Sequence, residues 1–229
     1  MSLEPSVIAI PRVLPAWVSV VSLYVDDVDD AATKGINLPP AYLLATPQRQ
    51  RGFRAGRYCA SRALEQLGMP GVCPGVTDHG APAWPPGTVG SITHAMSLVC
   101  AAAAPRRQCA GVGIDIEPIT SLDKAHAVAS RAATSPEVFG VMDGMKFDYA
   151  TAVALIMSAK HSLYKCVHPQ VGRSFSYLDA SVEDVQRSTN RFRARLKVRL
   201  SSGWVGGTTV SGQWDVAGDF VHTGIAIPC

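Results

Sequence analysis

The 229-residue sequence predicts an α+β fold built as two similar halves that meet near residue 111. Three observations predict it. An order of strand, long helix and further strands occurs twice. Two segments place apolar residues at helical spacing. Short runs rich in β-branched and aromatic residues, partly alternating, flank both of them.

The elements follow in order. Residues 17–25 (WVSVVSLYV) read as a first strand. Residues 47–67 read as a helix, with Phe53, Gly56, Ala60, Ala63, Leu64 and Leu67 at helical spacing and Gly68 placed to end it. A loop rich in glycine and proline spans 69–90, and two apolar strands follow at 89–93 and 97–103. Residues 111–117 (GVGIDIE) read as another strand. A second long helix covers 147–166, supported by Val153, Ile156, Leu163 and Val167 on one side. From Arg191 on, Phe192, Ala194, Leu196, Val198 and Leu200 fall on one face of a strand. Turn-like GWVGG and SGQW segments come next, then a last apolar strand at 220–227. The division expected is 1–111 and 112–229.

Composition narrows the class. Hydrophobic residues are 47% and charged residues 17%, a balance that buries a core and excludes a disordered chain. No apolar run reaches the roughly 18 residues of a membrane span. The N-terminal stretch has one basic residue and several prolines, unlike a signal peptide. A cytoplasmic protein with no membrane partner is expected. Six cysteines without a CxxC pair speak against zinc or a redox dithiol and for small buried thiols. A net charge of +3 admits an anionic partner without identifying one.

Asp115 and Glu117 are two apart on the 111–117 strand, so both carboxylates leave the same face while Ile114 and Ile116 face the core. Two carboxylates aimed at one point repel each other, and a hard cation such as Mg²⁺ relieves that repulsion. A solvated strand face has the same spacing. Arg49, Arg51, Arg54 and Arg57 crowd the first helix, where forked guanidinium donors suit phosphate oxygens; an exposed helix face reads the same way. His94 lies between two strands. On the second helix His161 and Lys165 are four apart and share one side.

Together these segments resemble one family. R-x-x-x-F-x-x-x-R-x-C-A-x-x-A-L-x-x-L-G at 49–68, P-x-W-P at 82–85, G-S-I-T-H at 90–94, G-I-D-I-E at 113–117 and S-A-K-H-S-L-Y-K at 158–165 occur in the order and spacing of phosphopantetheinyl transferases serving siderophore, polyketide and nonribosomal peptide synthesis. The resemblance implies two pseudo-symmetric α+β halves, each a long helix on a small, mainly antiparallel sheet, with coenzyme A in the cleft between them. It implies that Arg49 and Arg57 hold the 3′-phosphate, and that Ser91, Thr93, His94, His79, Lys160 and Lys165 contact coenzyme A. Asp115 and Glu117 are implied as metal ligands, with His161 at the third ligand position. The implied catalytic set is His161, Lys165 and Asp115.

Two positions depart from the family pattern. His79 stands where a lysine is usual, and His161 replaces the glutamate that normally binds metal and serves as the general base. The implied reaction is attack by a serine of an acyl or peptidyl carrier protein on the β-phosphate of coenzyme A. Adenosine 3′,5′-bisphosphate leaves, with Mg²⁺, or Mn²⁺, on the pyrophosphate. His161 can then be a neutral ligand and base, or swing aside for water, or leave a protein that binds coenzyme A and a carrier without transfer. A monomer is expected. Nucleic acid is not expected as a partner, because the arginine-bearing helix lacks an aromatic platform and the net charge is small.

Overall fold

A computed structural model of the chain describes residues 9–77 and 80–229. His79 therefore lies outside the described residues. The chain divides into two compact units, one made chiefly of Ala16–Val112 and one of Gly113–Ile227 with Pro11–Pro15.

The first unit holds β1 (Ser19–Tyr24), two single-turn helices α1 (Asp30–Thr33) and α2 (Pro40–Leu43), and the long α3 (Pro47–Glu65). Thr46 caps α3 by accepting from Arg49 N, Pro47 sits in its first turn, and Gly68 follows its end with φ +84°. A short ribbon, β2 (Gly75–Val76) with β3 (Pro82–Ala83), interrupts the expected 69–90 loop. β4 (Thr88–Ala95) and β5 (Leu98–Pro105) complete an antiparallel sheet of order β1-β5-β4. The helix packs its small residues, Ala55, Cys59, Ala60 and Ala63, onto Val21, Leu23, Val99, Ala101 and Ala103. Small residues bring the helix close to the sheet: a Cβ on Gly56 would stand 3.0 Å from Ile92 Cγ2.

β6 (Cys109–Pro118) carries the chain into the second unit. There α4 (Leu122–Ala132), α5 (Ser135–Met145) and the long α6 (Tyr149–Val171) are followed by β7 (Ala180–Gln186), β8 (Arg191–Leu196), β9 (Thr209–Ala217) and β10 (Phe220–Pro228). The strand order is β6-β10-β9-β8-β7, with β7–β8, β8–β9 and β9–β10 antiparallel. Asp148 caps α6 by accepting from Thr151 N at 2.7 Å, and Gly172 ends it with φ +66°. α6 contributes more to the core than any other single element, with Leu155, Ile156, Ala159 and Leu163 against Phe192, Ala194, Leu196 and Ile225. The same plan, one long helix on a largely antiparallel sheet, thus recurs in both units, and the fold class is α+β.

Three sequence expectations need correction. SGQW (211–214) is not a turn but the middle of β9, where Gly212 makes room for the Phe192 ring across the sheet. α4 and α5 were not anticipated: the buried face of α4 rests on alanines, and α5, which buries Glu137 among Val138, Val141 and Met145, contains two glycines. Of the six cysteines, Cys73 and Cys229 are exposed while the other four are buried.

Candidate active site and metal centre

Gly113 on β6 allows the site to form. A Cβ there would collide with the Ser162 carbonyl of α6, so only glycine lets strand and helix approach this closely. On the neighbouring strand a buried hydroxyl cluster ties α6 to β10: Thr223 Oγ1 lies 2.9 Å from Ser158 Oγ and 2.8 Å from Ser162 Oγ. Asp115 and Glu117 lie two and four residues beyond Gly113 on the same strand face.

That placement brings Asp115, Glu117, His161 and Lys165 together. His161 Nδ1 is 2.8 Å from Glu117 Oε1 and 3.5 Å from Asp115 Oδ2. Lys165 Nζ donates to Asp115 Oδ1 at 2.6 Å and to the Ile114 carbonyl at 3.2 Å. The Asp115 side chain is 4% exposed and that of Glu117 27%. On its other side His161 Nε2 meets Tyr177 Oη at 2.7 Å.

The charges follow from these contacts. Burial opposes ionisation of Asp115, but Lys165 and His161 outweigh it and hold the carboxyl below its usual range. Burial likewise opposes a charged His161, yet hydrogen bonds to Asp115 and Glu117 prevail and carry its pKa to about 11. His161 thus has a partner on each ring nitrogen, Glu117 on Nδ1 and Tyr177 on Nε2.

One donor atom each from Asp115, Glu117 and His161 lies within 4.8 Å of the others. Two carboxylate oxygens and an imidazole nitrogen form a donor set suited to a divalent cation, so the residues present fit a metal. Beside them is a cavity of about 360 Å³ lined by His161, Tyr164, Ser174, Phe175 and Tyr177.

Lys160 takes a different role from Lys165. Its ammonium donates to Ala132 O at 2.7 Å and to Glu137 Oε2 at 2.9 Å, with side chains 1% and 3% exposed. Its ammonium is committed to this buried pair, while its side chain also borders the cavity beside His161.

In the first unit, a cavity of about 610 Å³ is lined by Tyr42, Thr46, Arg49, Arg51, His94 and Ser97. The Arg49 guanidinium lies 5.4 Å from the Tyr42 ring centroid, and Arg57 lies 4.8 Å from that of Phe53; the two rings are 4.6 Å apart. Arg57 is 5% exposed, burial lowers its pKa, and its Nε finds no acceptor among the described residues. Ser91 and Thr93 are buried and alternate with Ile92 and His94, so they stand on the opposite face of β4 from His94. Tyr177, Glu137 and Tyr42 were missed by sequence reading. Glu137 carries one local signal, as the glutamate of a Thr134-x-x-Glu137 capping box; Tyr42 and Tyr177 act through contacts that only the fold creates.

In the second unit, paired carboxylates backed by a lysine suit a divalent cation; in the first, the arginine-lined cavity suits an anion such as a phosphate ester. Comparison with known proteins defines the class further. Residues 41–104 match the 4′-phosphopantetheinyl transferase N-terminal domain, and residues 111–220 match the 4′-phosphopantetheinyl transferase superfamily. The chain is 31% identical over 224 residues to the 4′-phosphopantetheinyl transferase Svp of Streptomyces mobaraensis, covering 95% of this chain and 89% of that one. It is 32% identical over 189 residues to Npt of Nocardia iowensis, covering 78% and 82%. With enterobactin synthase component D of Salmonella typhi it shares 35% identity over 124 residues, 54% of this chain and 50% of that one.

The chain belongs to the 4′-phosphopantetheinyl transferase superfamily. It is a transferase whose co-substrate is coenzyme A and whose partner is a carrier protein.

Proposed function

We propose that this chain transfers 4′-phosphopantetheine from coenzyme A to a serine of an acyl or peptidyl carrier protein, with Mg²⁺ or Mn²⁺ held by Asp115, Glu117 and His161. The observation that carries this reading is the convergence of those three side chains, with Lys165 on Asp115. The cation would supply Lewis acidity and charge neutralisation at the pyrophosphate.

The protein's own groups divide the remaining work. Lys165, 29% exposed, offsets charge that builds on the phosphate oxygens while fixing Asp115. Arg49 and His94 line the first unit's cavity and are suited to the phosphates at the adenosine end; Arg57 adds a guanidinium whose Nε has no acceptor among the described residues. The cavity beside His161 has aromatic walls, Tyr164 and Phe175, and hydroxyls from Ser174 and Ser176, which suit an aliphatic arm bearing amides. His161 uses Nδ1 toward the carboxylates and Nε2 toward Tyr177, so no ring nitrogen is left to receive the serine proton. Asp115 is buried and tied to Lys165. Glu117 is the cluster's partly exposed carboxylate, and we assign it as the proton acceptor.

The protein is proposed to act as a cytoplasmic monomer without nucleic-acid partners; among the described residues no helix is long and apolar enough to cross a membrane. Intact-mass measurement of a peptidyl carrier protein incubated with the chain, coenzyme A and Mg²⁺ or Mn²⁺ tests the proposal. A gain of one phosphopantetheine arm supports it. Coenzyme A binding without any mass gain under either metal would overturn it in favour of a binding protein.

A further inference from the structure

Tyr177 is an aromatic residue that the core does not use. It begins a 3-10 turn, Tyr177–Asp179, and is 39% exposed, whereas Phe175, two residues earlier, packs against the core of the second unit. The turn is firmly built. Asp179 accepts from Ser176 N at 2.7 Å, Asp179 N donates to Ser176 O at 3.1 Å, and Lys197 N donates to Asp179 O at 2.7 Å. This framework sets the Tyr177 ring edge-on to His161, with centroids 5.3 Å apart and planes at 64°, and puts Oη 2.7 Å from Nε2.

We infer that Tyr177 is a positioning residue for His161: its phenolic oxygen accepts the Nε2–H and so turns Nδ1 toward Asp115 and Glu117. The argument rests on imidazole's two inequivalent nitrogens. A ring that donates from Nε2 presents Nδ1 to whatever occupies the carboxylate cluster, and a partner on the distal nitrogen fixes both tautomer and ring orientation. A carboxylate at position 161 would need no such partner, because its two oxygens are equivalent. The Tyr177 contact is thus matched to the histidine this chain carries. Tyr177 also lines the cavity beside the cluster, so it can orient His161 only from a place where a bound arm would touch it.

The inference rests on reading the cluster as a metal site, and its test separates the two. Mn²⁺ binding to the intact chain, without substrate, is followed by the electron paramagnetic resonance of the free aquo ion. Imidazole ligation is read from nitrogen modulation of the bound-ion echo. Wild type is expected to bind Mn²⁺ with nitrogen modulation. Tyr177→Phe keeps the ring, and is expected to weaken Mn²⁺ binding about 10- to 100-fold and to reduce the modulation. In a His161→Ala background the same Tyr177→Phe change should leave Mn²⁺ affinity where His161→Ala alone puts it, an outcome that a merely structural tyrosine would not give. If Tyr177→Phe binds Mn²⁺ like wild type with full modulation, or costs as much with His161 absent, the inference fails while the metal site stands. If wild type binds no Mn²⁺, the metal reading itself fails.

Discussion

Lys160 and Glu137 form an ion pair at 2.9 Å inside the second unit, and Glu137 also accepts from Val182 N at 2.6 Å and Thr134 N at 3.4 Å. One carboxylate thereby ties together the start of α5, the middle of α6 and the beginning of β7. Lys160→Met would leave Glu137 charged and without its cation in an apolar setting, a loss of about 3–5 kcal/mol. For a chain of this size that is a fall in Tm of roughly 10 °C, measurable by calorimetry. Converting the pair together, with Lys160→Met and Glu137→Leu, should recover part of the loss. If Lys160→Met instead left Tm unchanged and raised only the KM for coenzyme A, the lysine would be a substrate contact after all.

Lys160 also shows what the sequence made legible. Lys160 and Lys165 lie in one motif but are five residues apart, about 140° around a helix, whereas His161 and Lys165 are about 40° apart. Spacing therefore separates a lysine facing β6 from one facing α5, although the motif names both. Strand alternation likewise placed Asp115 and Glu117 on one face, and the alternating tail of β8 is buried at Phe192, Ala194 and Leu196 as its pattern requires. What sequence did not disclose depends on tertiary approach. Ala125, Ala129 and Ala132 repeat at helical spacing in α4, but alanine carries too little apolar contrast to mark the buried face. Tyr177 gains its role only because the turn after α6 folds back beside His161.

Gly113→Ala should be disproportionately damaging. The added methyl has to displace the Ser162 carbonyl, a backbone group in the middle of α6 on a residue whose own hydroxyl is bonded to Thr223. Overpacking of this kind costs about 1–3 kcal/mol, and it also pushes β6 away from the helix that carries Lys165 and His161. Urea denaturation should show the stability loss, and Mn²⁺ titration should show weakened binding in the fraction that remains folded. Unchanged Mn²⁺ affinity would mean that the close strand–helix approach does not set the cluster's geometry.

Arg49 and Arg57 should separate in their effects although both flank the Tyr42–Phe53 rings. Arg49 is exposed and lines the first unit's cavity, so Arg49→Ala should raise the KM for coenzyme A about tenfold with Tm within a degree or two of wild type. Arg57 is buried, and its guanidinium lies over the Phe53 ring, so Arg57→Ala should lower Tm as well. Steady-state kinetics at varied coenzyme A, paired with thermal melts, distinguishes the two. Equal stability losses would show that Arg49 is a packing residue too.

His222 on β10 is 3% exposed, and its Nδ1 has no partner among the described residues. Burial lowers its pKa, against the opposing pull of Asp215 and Asp115. The unfolded chain then takes up a proton near pH 6.5 that the folded chain resists, so stability is full above that value and is lost as pH falls below it, toward the depressed folded pKa. His222→Phe should flatten the fall of Tm between pH 7 and pH 5 relative to wild type. An identical slope would show that other groups carry the acid sensitivity.

His161→Glu tests the chain's departure from its family most directly. The substitution gives the cluster a third carboxylate in place of an imidazole, a harder donor set that suits Mg²⁺ better than the present one. It also restores an oxygen able to accept the serine proton, a function that Glu117 fills alone in our assignment. Because a positioned base contributes about 10²–10⁴-fold, supplying a second one should raise kcat with Mg²⁺ by roughly an order of magnitude or more. The Mn²⁺ rate should change less, since imidazole already serves that ion. Carrier-protein mass shift at matched Mg²⁺ and Mn²⁺ concentrations measures both. A variant no faster than wild type with Mg²⁺ would show that the histidine is no handicap, and that the cluster works through its nitrogen ligand as it stands.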